Sequence, residues 1–435
     1  MAKTDIPTPQ GTGIVGKLTP EQKELLKQMW AELFQLLDNG EVNPPCDALT
    51  LASISASVNA ETSSVKSAKK SWFGSSKNTT AVSAAHASSA DEPGATLLNL
   101  SHIGLGVEDL RPSLWNLILG DHPDSLLLRF LRARKWNVTN GTEMILKAFK
   151  WRIEDNIDEI RAKSEDDLDV KYRGFKMQME MGKSCFYGTD KQGRPVVYVN
   201  VRLHKPAGQD PKALEMFTIH VMETGRLLLQ PPAETACLVF DMTGFGLSNM
   251  DYSFVKFLVQ CFEAYYPESL GVLVIHKAPI VFRGVWKIIE PWLDPVVVSK
   301  IRFTRSDKEL TEVIDAEFLP NKYDGGKSQY AFKYLPVVPG ENDRMNDTET
   351  KERLLEEWRA VMWKFEALTR EWISCKKTEG ARSEEVIEAE RLGLTKDIRA
   401  AYFNLDPYIR ARTLYHRSEH PVIQADGSTN WPHKN

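Results

Sequence analysis

The chain has 435 residues, a formal net charge of -4 and 26% charged residues. These values are typical of a globular protein with one large domain or two ordinary ones, and they give no bias toward nucleic acid. No apolar run approaches the roughly 18 residues that cross a bilayer, and the first residues lack the apolar core of a signal peptide. We therefore expect a cytoplasmic protein whose membrane contacts are peripheral.

The first 95 residues predict a helix followed by a linker. Residues 19–38 begin with a Thr cap and Pro20 and continue with apolar side chains at helical spacing, so residues 1–50 are predicted to form a helical extension. Between Ser53 and Pro93 there are 12 serines in 41 residues, which predicts a disordered linker over 51–95. Its Lys69-Lys70-Ser71-Trp72-Phe73 run is interpreted as a solvated tether, with a weak membrane contact or a phosphorylation site as alternatives.

Strands and helices alternate through the centre of the chain, which predicts an α/β domain with a largely parallel or mixed sheet. The predicted helices are Asp124–Lys135, Thr142–Asp155, Pro211–Leu229, Met250–Tyr266 and Ile280–Trp292. The predicted strands are Cys185–Tyr187, Arg194–Asn200, Ala236–Asp241, Val272–His276 and Ile301–Thr304.

Two charged residues, Glu268 and Lys300, stand at opposite ends of a strongly apolar stretch. Removing a charge from water costs several kcal/mol, so embedded charges are rarely left unpaired. Either the two residues pair with protein groups, or a polar ligand head satisfies them in an apolar pocket. The second alternative indicates a lipid-binding protein.

Between these charges, the predicted helix Ile280–Trp292 is apolar around most of its circumference, and Pro291 is expected to kink its last turn. A helix of this kind is usually buried. The alternative is a lid that covers a lipid tail with its inner face and meets a membrane with its outer face. Periodicity does not separate the two. The apolar residues form two adjacent stripes, Val281, Val285, Ile288 and Trp292 in one and Phe282, Trp286 and Ile289 in the other.

Residues 336–435 are predicted to be a helical extension with a Pro/Asn/His-rich tail. An apolar stripe at 4-3-4-3-4 spacing predicts a long helix, which most often packs on its own domain but could dock a membrane or a partner. The stripe consists of Leu354, Trp358, Val361, Phe365, Leu368 and Trp372.

No complete catalytic or metal-binding motif is present, so we expect neither an enzyme nor a metal protein. Gly182-Lys183-Ser184 and Gly325-Gly326-Lys327-Ser328 resemble the end of a phosphate-binding loop, but the earlier glycine of that loop is replaced by Met177 and Asn321. The His276-Lys277 pair at a strand end is interpreted as structural. The five cysteines have no CxxC spacing, which indicates reduced thiols: Cys46, Cys185, Cys237, Cys261 and Cys375.

Several motifs resemble the CRAL-TRIO family, especially its fungal phosphatidylinositol/phosphatidylcholine transfer proteins. The resemblance covers about 120–330 and implies a helical N-terminal lobe over 96–175 and a lipid-binding lobe over 176–335. The second lobe is expected to have a mixed or parallel sheet and to enclose one lipid under a gating helix. The motifs are Leu126–Trp136, Gly193-Arg194-Pro195-Val196, the block 265–300, and Pro320–Gly326, which is similar to the way that domain closes.

The resemblance implies that phosphatidylinositol is the bound lipid and that four residues hold its head group. A cation neutralises the phosphodiester, a carboxylate accepts hydrogen bonds from ring hydroxyls, and acyl chains fill the apolar interior. A threonine that commonly assists is replaced here by Val297. The four residues are Arg134, Lys135, Glu268 and Lys300. Taken alone, Arg134 and Lys135 would be interpreted as a solvated helix end, and Glu268 and Lys300 as a salt bridge.

Family members that also carry phosphatidylcholine use hydroxyl side chains, and this chain has apolar residues at the positions we align with them. We therefore expect weak or absent phosphatidylcholine binding. The enlarged apolar pocket is expected to accept a neutral lipid instead, a sterol or an isoprenoid hydrocarbon. The replaced positions are Phe186, Val197, Met222, Ala236 and Leu238.

Two functions follow from the resemblance. The favoured one is a lipid-exchange protein that opens its gating helix at the endoplasmic reticulum or another intracellular membrane. The alternative is a sensor or scaffold that presents phosphatidylinositol to a lipid kinase or regulator. Vesicle-to-vesicle transfer separates them, because a pure scaffold exchanges little lipid.

Overall fold

The computed structural model describes residues 12–40, 98–229, 233–375, 382–419 and 421–431. The predicted linker over 51–95, with its Lys69-Lys70-Ser71-Trp72-Phe73 run, lies outside these residues. The described helices are Pro20–Asn39, Leu100–Ile103, Val107–Ile118, Pro123–Ala133, Val138–Glu154, Ile157–Ala162, Glu165–Lys171, Phe175–Glu180, Pro211–Leu228, Tyr252–Gln260, Phe282–Ile289, Pro295–Ser299, Asp307–Leu310, Thr348–Ser374, Glu384–Ile409 and Leu414–Arg417.

A five-stranded mixed sheet organises residues 184–304, which confirms the predicted sheet type. Its strands follow chain order across the sheet; β1 runs antiparallel to β2, and all later neighbours are parallel. Parallel neighbours need crossover connections, and helices supply them. A separate short ribbon pairs β6 with β7. The strands are Ser184–Thr189 (β1), Pro195–Asn200 (β2), Ala236–Asp241 (β3), Leu270–His276 (β4), Ile301–Thr304 (β5), Val422–Ile423 (β6) and Thr429–Asn430 (β7).

The two faces of the sheet have different coverings, because successive side chains of a strand point to opposite sides. Phe186, Val197 and Leu238 join the core that includes helix Pro211–Leu228. Their neighbours Tyr187, Val196 and Val239 pack against the segment 310–323 on the other face. The second face is closely packed, whereas the first holds the cavity described below.

The terminal helices pack together on the N-terminal lobe. The Asp124 carboxylate accepts hydrogen bonds from Trp30 Nε1 at 2.8 Å and Arg391 Nη2 at 2.7 Å, so it links three distant segments of the chain. The apolar stripe of the long C-terminal helix is directed into this core, with Leu354, Trp358, Phe365 and Trp372 buried. The interpretation that this stripe packs on its own domain is confirmed.

The C-terminal segment also reaches the edge of the sheet. The backbone N–H of Phe186 in β1 donates to the Tyr415 hydroxyl at 2.8 Å, and the two rings meet edge to face. Glu165 accepts from Leu414 N and pairs with Arg417, which fixes this segment on the helical lobe. The outer edge of β1 is therefore covered by residues far along the chain.

Candidate lipid site

An apolar cavity with two chambers lies between the sheet and the helices of its first face. The first chamber has about 1220 Å³ of empty space and the second about 930 Å³, with their open mouths included. The chambers share part of their walls and are therefore treated as one site. The shared residues are Lys183, Val199, Phe240, Phe254, Leu258 and Phe262.

The helix Phe282–Ile289 forms one wall of the first chamber, and exposed apolar side chains occur on its outer side at Ile288 and just before its start at Ile280 and Val281. Phe282, Trp286 and Ile289 line the chamber, and Val285 is buried beside them. On the outer side, Ile280 is 81% exposed, and Val281 and Ile288 are 44% and 48% exposed. A helix buried in a core would cover both faces, so this distribution favours a lid.

Both predicted ends of this helix differ from the structure, in which it begins at Phe282 instead of Ile280. The α-helix stops at Ile289, and Glu290–Trp292 forms a 3-10 turn. Pro291 lacks the N–H that would continue the helix, so the break falls where the sequence indicated a kink. Trp292 is half-buried, with its ring edge-on to Tyr252 and beneath the Lys256 ammonium.

The second chamber brings together the apolar residues that we aligned with hydroxyl positions. No hydroxyl stands at any of these positions, so this part of the wall offers a phosphate no hydrogen bond. Val297 lines the first chamber, as residues of the helix Phe282–Ile289 do. A role of these residues in lipid binding stays a prediction. The residues of the second chamber are Phe186, Val197, Met222, Ala236 and Leu238.

Glu268 and Lys300 form an ion pair next to the cavity. Lys300 Nζ lies 3.6 Å from Glu268 Oε2, and the two side chains are 18% and 26% exposed. Neither residue is part of the cavity wall, but Ser269 follows Glu268 and lines the second chamber, while Ile301 follows Lys300 and lines the first. The structure thus shows the alternative in which the two charges pair with a protein group, and their role in holding a head group stays a prediction.

Arg134 and Lys135 are exposed at the end of helix Pro123–Ala133. Arg134 interacts electrostatically with Glu263, whose carboxyl group lies in the wall of the first chamber. Burial raises the pKa of Glu263, and Arg134 opposes that rise. Among the described residues, no hydrogen bond or ion pair joins Arg134 or Lys135 to Glu268 or Lys300, so the structure brings together only the latter two of the four predicted head-group residues. Their role in head-group binding stays a prediction.

The backbone near these residues is strained. Glu268 has φ of 55° and Lys135 has φ of 50°, in the left-handed region that residues other than glycine seldom adopt. A π-helical turn, Cys261–Tyr265, precedes Tyr266-Pro267-Glu268, where the sequence predicted a continuous helix to Tyr266. Strained residues and π-turns concentrate at functional sites, and both occur here at residues predicted to hold a head group.

A buried ion network anchors the turn that carries Glu268. The Tyr266 hydroxyl donates to Glu223 Oε1 at 2.8 Å, and the same carboxylate meets Arg152 at 2.8 Å and Arg226 at 3.2 Å. Although burial opposes ionisation, the surrounding guanidinium groups hold the pKa of Glu223 well below its usual range. Tyr266 is thereby fixed two residues before Glu268.

A second polar group of residues, which the sequence analysis did not assign to the site, lies at another end of the cavity. Lys183 is 4% exposed and lines both chambers, and its ammonium donates to the Gln209 carboxamide. The Gln209 Nε2 lies 3.1 Å from His204 Nδ1, and His204 lines the first chamber. Burial lowers the pKa of Lys183 to about 8 and, with the charge of Lys183, lowers that of His204 to about 4. The only sequence signal was the Gly182-Lys183-Ser184 run.

The remaining sequence motifs are structural. His276 is fully buried and is held by Thr304 at 2.8 Å and Asp307 at 2.8 Å, which agrees with the structural interpretation of this residue. Gly326 lies against the backbone of Leu319 and Pro320, where a side chain would not fit. Across the described ranges, no group of three or more His, Cys, Asp or Glu residues is arranged to hold a metal ion.

A sheet, an apolar cavity and a covering helix with an exposed apolar face define an α/β protein of the lipid-binding class. None of the described helices combines the length and apolarity needed to cross a bilayer. The model of the CRAL/TRIO domain matches residues 179–325, and that of the CRAL/TRIO N-terminal domain matches residues 85–147.

Curated relatives extend this likeness beyond the central domain. A CRAL-TRIO domain-containing protein of Schizosaccharomyces pombe is 38% identical over 418 residues, which cover 94% of this chain and 92% of the relative. The phosphatidylinositol transfer protein CSR1 of Eremothecium gossypii is 40% identical and covers 69% of each chain. The SEC14 cytosolic factor of the same organism is 33% identical over 221 residues, which cover 47% of this chain and 70% of that relative. The chain belongs to the CRAL-TRIO family.

Proposed function

We propose that this protein binds phosphatidylinositol and exchanges it between membranes without catalysing a reaction. The observation that carries the proposal is the Glu268–Lys300 pair at the edge of an apolar cavity whose lid has a second, exposed apolar face. The Lys300 ammonium can neutralise a phosphodiester, and the Glu268 carboxylate can accept hydrogen bonds from ring hydroxyls. The apolar cavity can enclose acyl chains. The similarity to the phosphatidylinositol transfer protein CSR1 supports the same choice of lipid. Transfer of labelled phosphatidylinositol from donor to acceptor vesicles tests the proposal directly.

The lid is proposed to open when its outer face enters a membrane. We expect the double variant Ile280→Ser, Ile288→Ser to transfer lipid about tenfold more slowly, because two exposed apolar side chains no longer enter the bilayer. The amount of phosphatidylinositol already bound should stay unchanged, since neither residue lines the cavity. Transfer rates between vesicles and lipid content by mass spectrometry measure the two effects.

Leu392→Ser provides the matched control, because Leu392 is an exposed apolar residue of a C-terminal helix, 56% accessible. It should transfer lipid at the wild-type rate. Unchanged transfer by the Ile280/Ile288 variant would contradict the proposal that this face meets the membrane.

Phosphatidylcholine is proposed to bind weakly, because the second chamber is apolar where hydroxyls would be needed. Protein incubated with mixed vesicles should retain phosphatidylinositol near one molecule per chain and about tenfold less phosphatidylcholine. The neutral lipid expected from the sequence, a sterol or an isoprenoid hydrocarbon, is proposed as an occupant of this chamber. Quantitative lipid mass spectrometry measures all three, and stoichiometric phosphatidylcholine would refute the assignment.

The sensor or scaffold alternative receives no specific support from the structure. It depended on the C-terminal apolar stripe, whose large residues are buried in the protein's own core. We propose that the protein acts in the cytoplasm, as its relative the SEC14 cytosolic factor is named for doing, with transient contacts to the endoplasmic reticulum or other intracellular membranes.

A further inference from the structure

The polar end of the cavity contains more hydrogen-bond donors than the protein satisfies. Lys183 has three N–H donors, one of which meets Gln209. The buried hydroxyl of Ser184 has no hydrogen-bond partner, and neither has Nε2 of His204. Buried polar groups are nearly always paired in native proteins. Two unpaired atoms, Ser184 Oγ and His204 Nε2, therefore line adjoining chambers of one cavity beside an ammonium with donors to spare, and together they point to a ligand.

The chemistry of these groups selects an acceptor. The Gln209 carboxamide accepts from Lys183 with its oxygen and therefore presents its NH₂ group to His204 Nδ1. A neutral imidazole that accepts at Nδ1 carries its proton on Nε2, so His204 presents a donor as well. Asp251 Oδ2 lies 3.6 Å from that nitrogen, beyond hydrogen-bond distance, and the other oxygen of Asp251 caps the helix at Phe254.

This end of the cavity is separate from the Glu268–Lys300 pair. Lys183 precedes β1 and its carbonyl accepts from Asn200 N, at the carboxyl end of β2. Glu268 and Lys300 precede β4 and β5, at the amino ends of strands parallel to β2. A strand of six residues is about 20 Å long, so the two polar groups lie at opposite ends of the sheet. Apolar walls connect them.

We propose that Lys183, Ser184 and His204 form a second head-group site, which binds the anionic head of an acidic lipid. The carboxylate of a fatty acid and the phosphate of phosphatidic acid share the required chemistry: charged oxygen acceptors attached to an apolar tail. A sterol or a hydrocarbon leaves most of these donors unpaired. The acid and the neutral lipid are therefore competing candidates for the second ligand: the apolar walls alone favour the neutral lipid, and these donors favour the acid. This inference does not depend on phosphatidylinositol binding.

Lys183→Met tests the site, because it removes the charge and keeps a flexible chain of similar length. Full-length protein is incubated with phosphatidylcholine vesicles that carry oleate, phosphatidic acid or cholesterol, and retained lipid is counted by native mass spectrometry. We expect wild-type protein to retain one acidic lipid and Lys183→Met to retain at least about tenfold less, since a charge-assisted hydrogen bond is lost. The difference between the oleate and phosphatidic acid arms identifies the source of the acid.

Two controls keep the test decisive. Lys212→Met removes an exposed lysine of helix Pro211–Leu228 and should retain acidic lipid as the wild type does. Ser184→Ala removes a second donor with little change in volume, so it tests the site even if Lys183→Met folds poorly. Phosphatidylinositol retention should be unchanged in both site variants. Equal retention of acid by wild type and Lys183→Met, retention of neither acid by the wild type, or a preference for cholesterol would overturn the proposal.

Discussion

Replacing Lys300 with alanine should abolish most phosphatidylinositol binding. The substitution removes the ammonium that we propose for the phosphodiester and leaves the partly buried Glu268 carboxylate without its partner at 3.6 Å. That carboxylate would then repel the lipid phosphate. A lost charge-assisted hydrogen bond together with this repulsion corresponds to about 3 kcal/mol, or roughly a hundredfold in affinity. Mass spectrometry of lipids retained after incubation with mixed membranes measures the loss, and vesicle transfer should fall in parallel.

Lys327→Ala is the matched control, because Lys327 forms a similar lysine–glutamate pair with Glu317 at 3.2 Å on the exposed surface. It should bind and transfer phosphatidylinositol normally. If Lys300→Ala retained as much phosphatidylinositol as the wild type, the head-group assignment would be wrong. If neither protein retained any, the proposed function itself would fail.

Among the substitutions proposed for this protein, replacing Glu223 with glutamine should cause the largest decrease in the free energy of unfolding. Glu223 is 1% exposed and is the shared acceptor for Arg152, Arg226 and the Tyr266 hydroxyl. Removing its charge leaves buried guanidinium groups uncompensated, and breaking a buried pair in this way costs about 3–5 kcal/mol. The turn bearing Glu268 should also loosen, because Tyr266 loses a charged acceptor. Denaturant unfolding monitored by circular dichroism measures the first effect and phosphatidylinositol retention the second.

The effect of Glu223 has a defined pH dependence. Because its pKa is depressed in the folded protein, the carboxylate contributes stability above the unfolded pKa of about 4.3. That contribution is lost as pH falls through the folded pKa. The Glu223→Gln variant should therefore lose less stability than the wild type between neutral pH and strongly acidic pH.

Glu357→Gln serves as the control for this network. Glu357 pairs with Arg353 on the exposed surface of a helix, where ion pairs are worth about 0.5 kcal/mol or less. Equal destabilisation by the two substitutions would contradict a special role of the buried network.

Regular elements were predictable because their patterns are local. Residues Ala236–Asp241 and Ile301–Thr304 form strands with the predicted bounds. The helices of the N-terminal lobe between Ile157 and Glu180 were missed. They are six or seven residues long, too short for an apolar period to be recognised, and they depend on tertiary contacts such as the Glu165–Arg417 pair.

The candidate site was only partly predictable. Glu268 and Lys300 are distinguished by charge in an apolar sequence and by family motifs, and the structure pairs them. Lys183 and His204 carry no such signal, because their relation arises only when the start of β1 meets the loop after β2. The exposure of Ile280 and Ile288 could not be predicted from the sequence either, because a buried helix and a lid have the same apolar pattern.

The link from Asp124 to Arg391 has a consequence for the time course of synthesis. The two residues are 267 positions apart, and a ribosome adding 5–20 residues per second needs roughly 15 to 50 seconds to make that interval. Throughout this period the nascent N-terminal lobe holds a carboxylate among apolar side chains without its arginine. Completion of that lobe must therefore follow translation of the C-terminal helices, and the growing chain leaves apolar surface unburied, accessible to chaperones, for roughly 15 to 50 seconds.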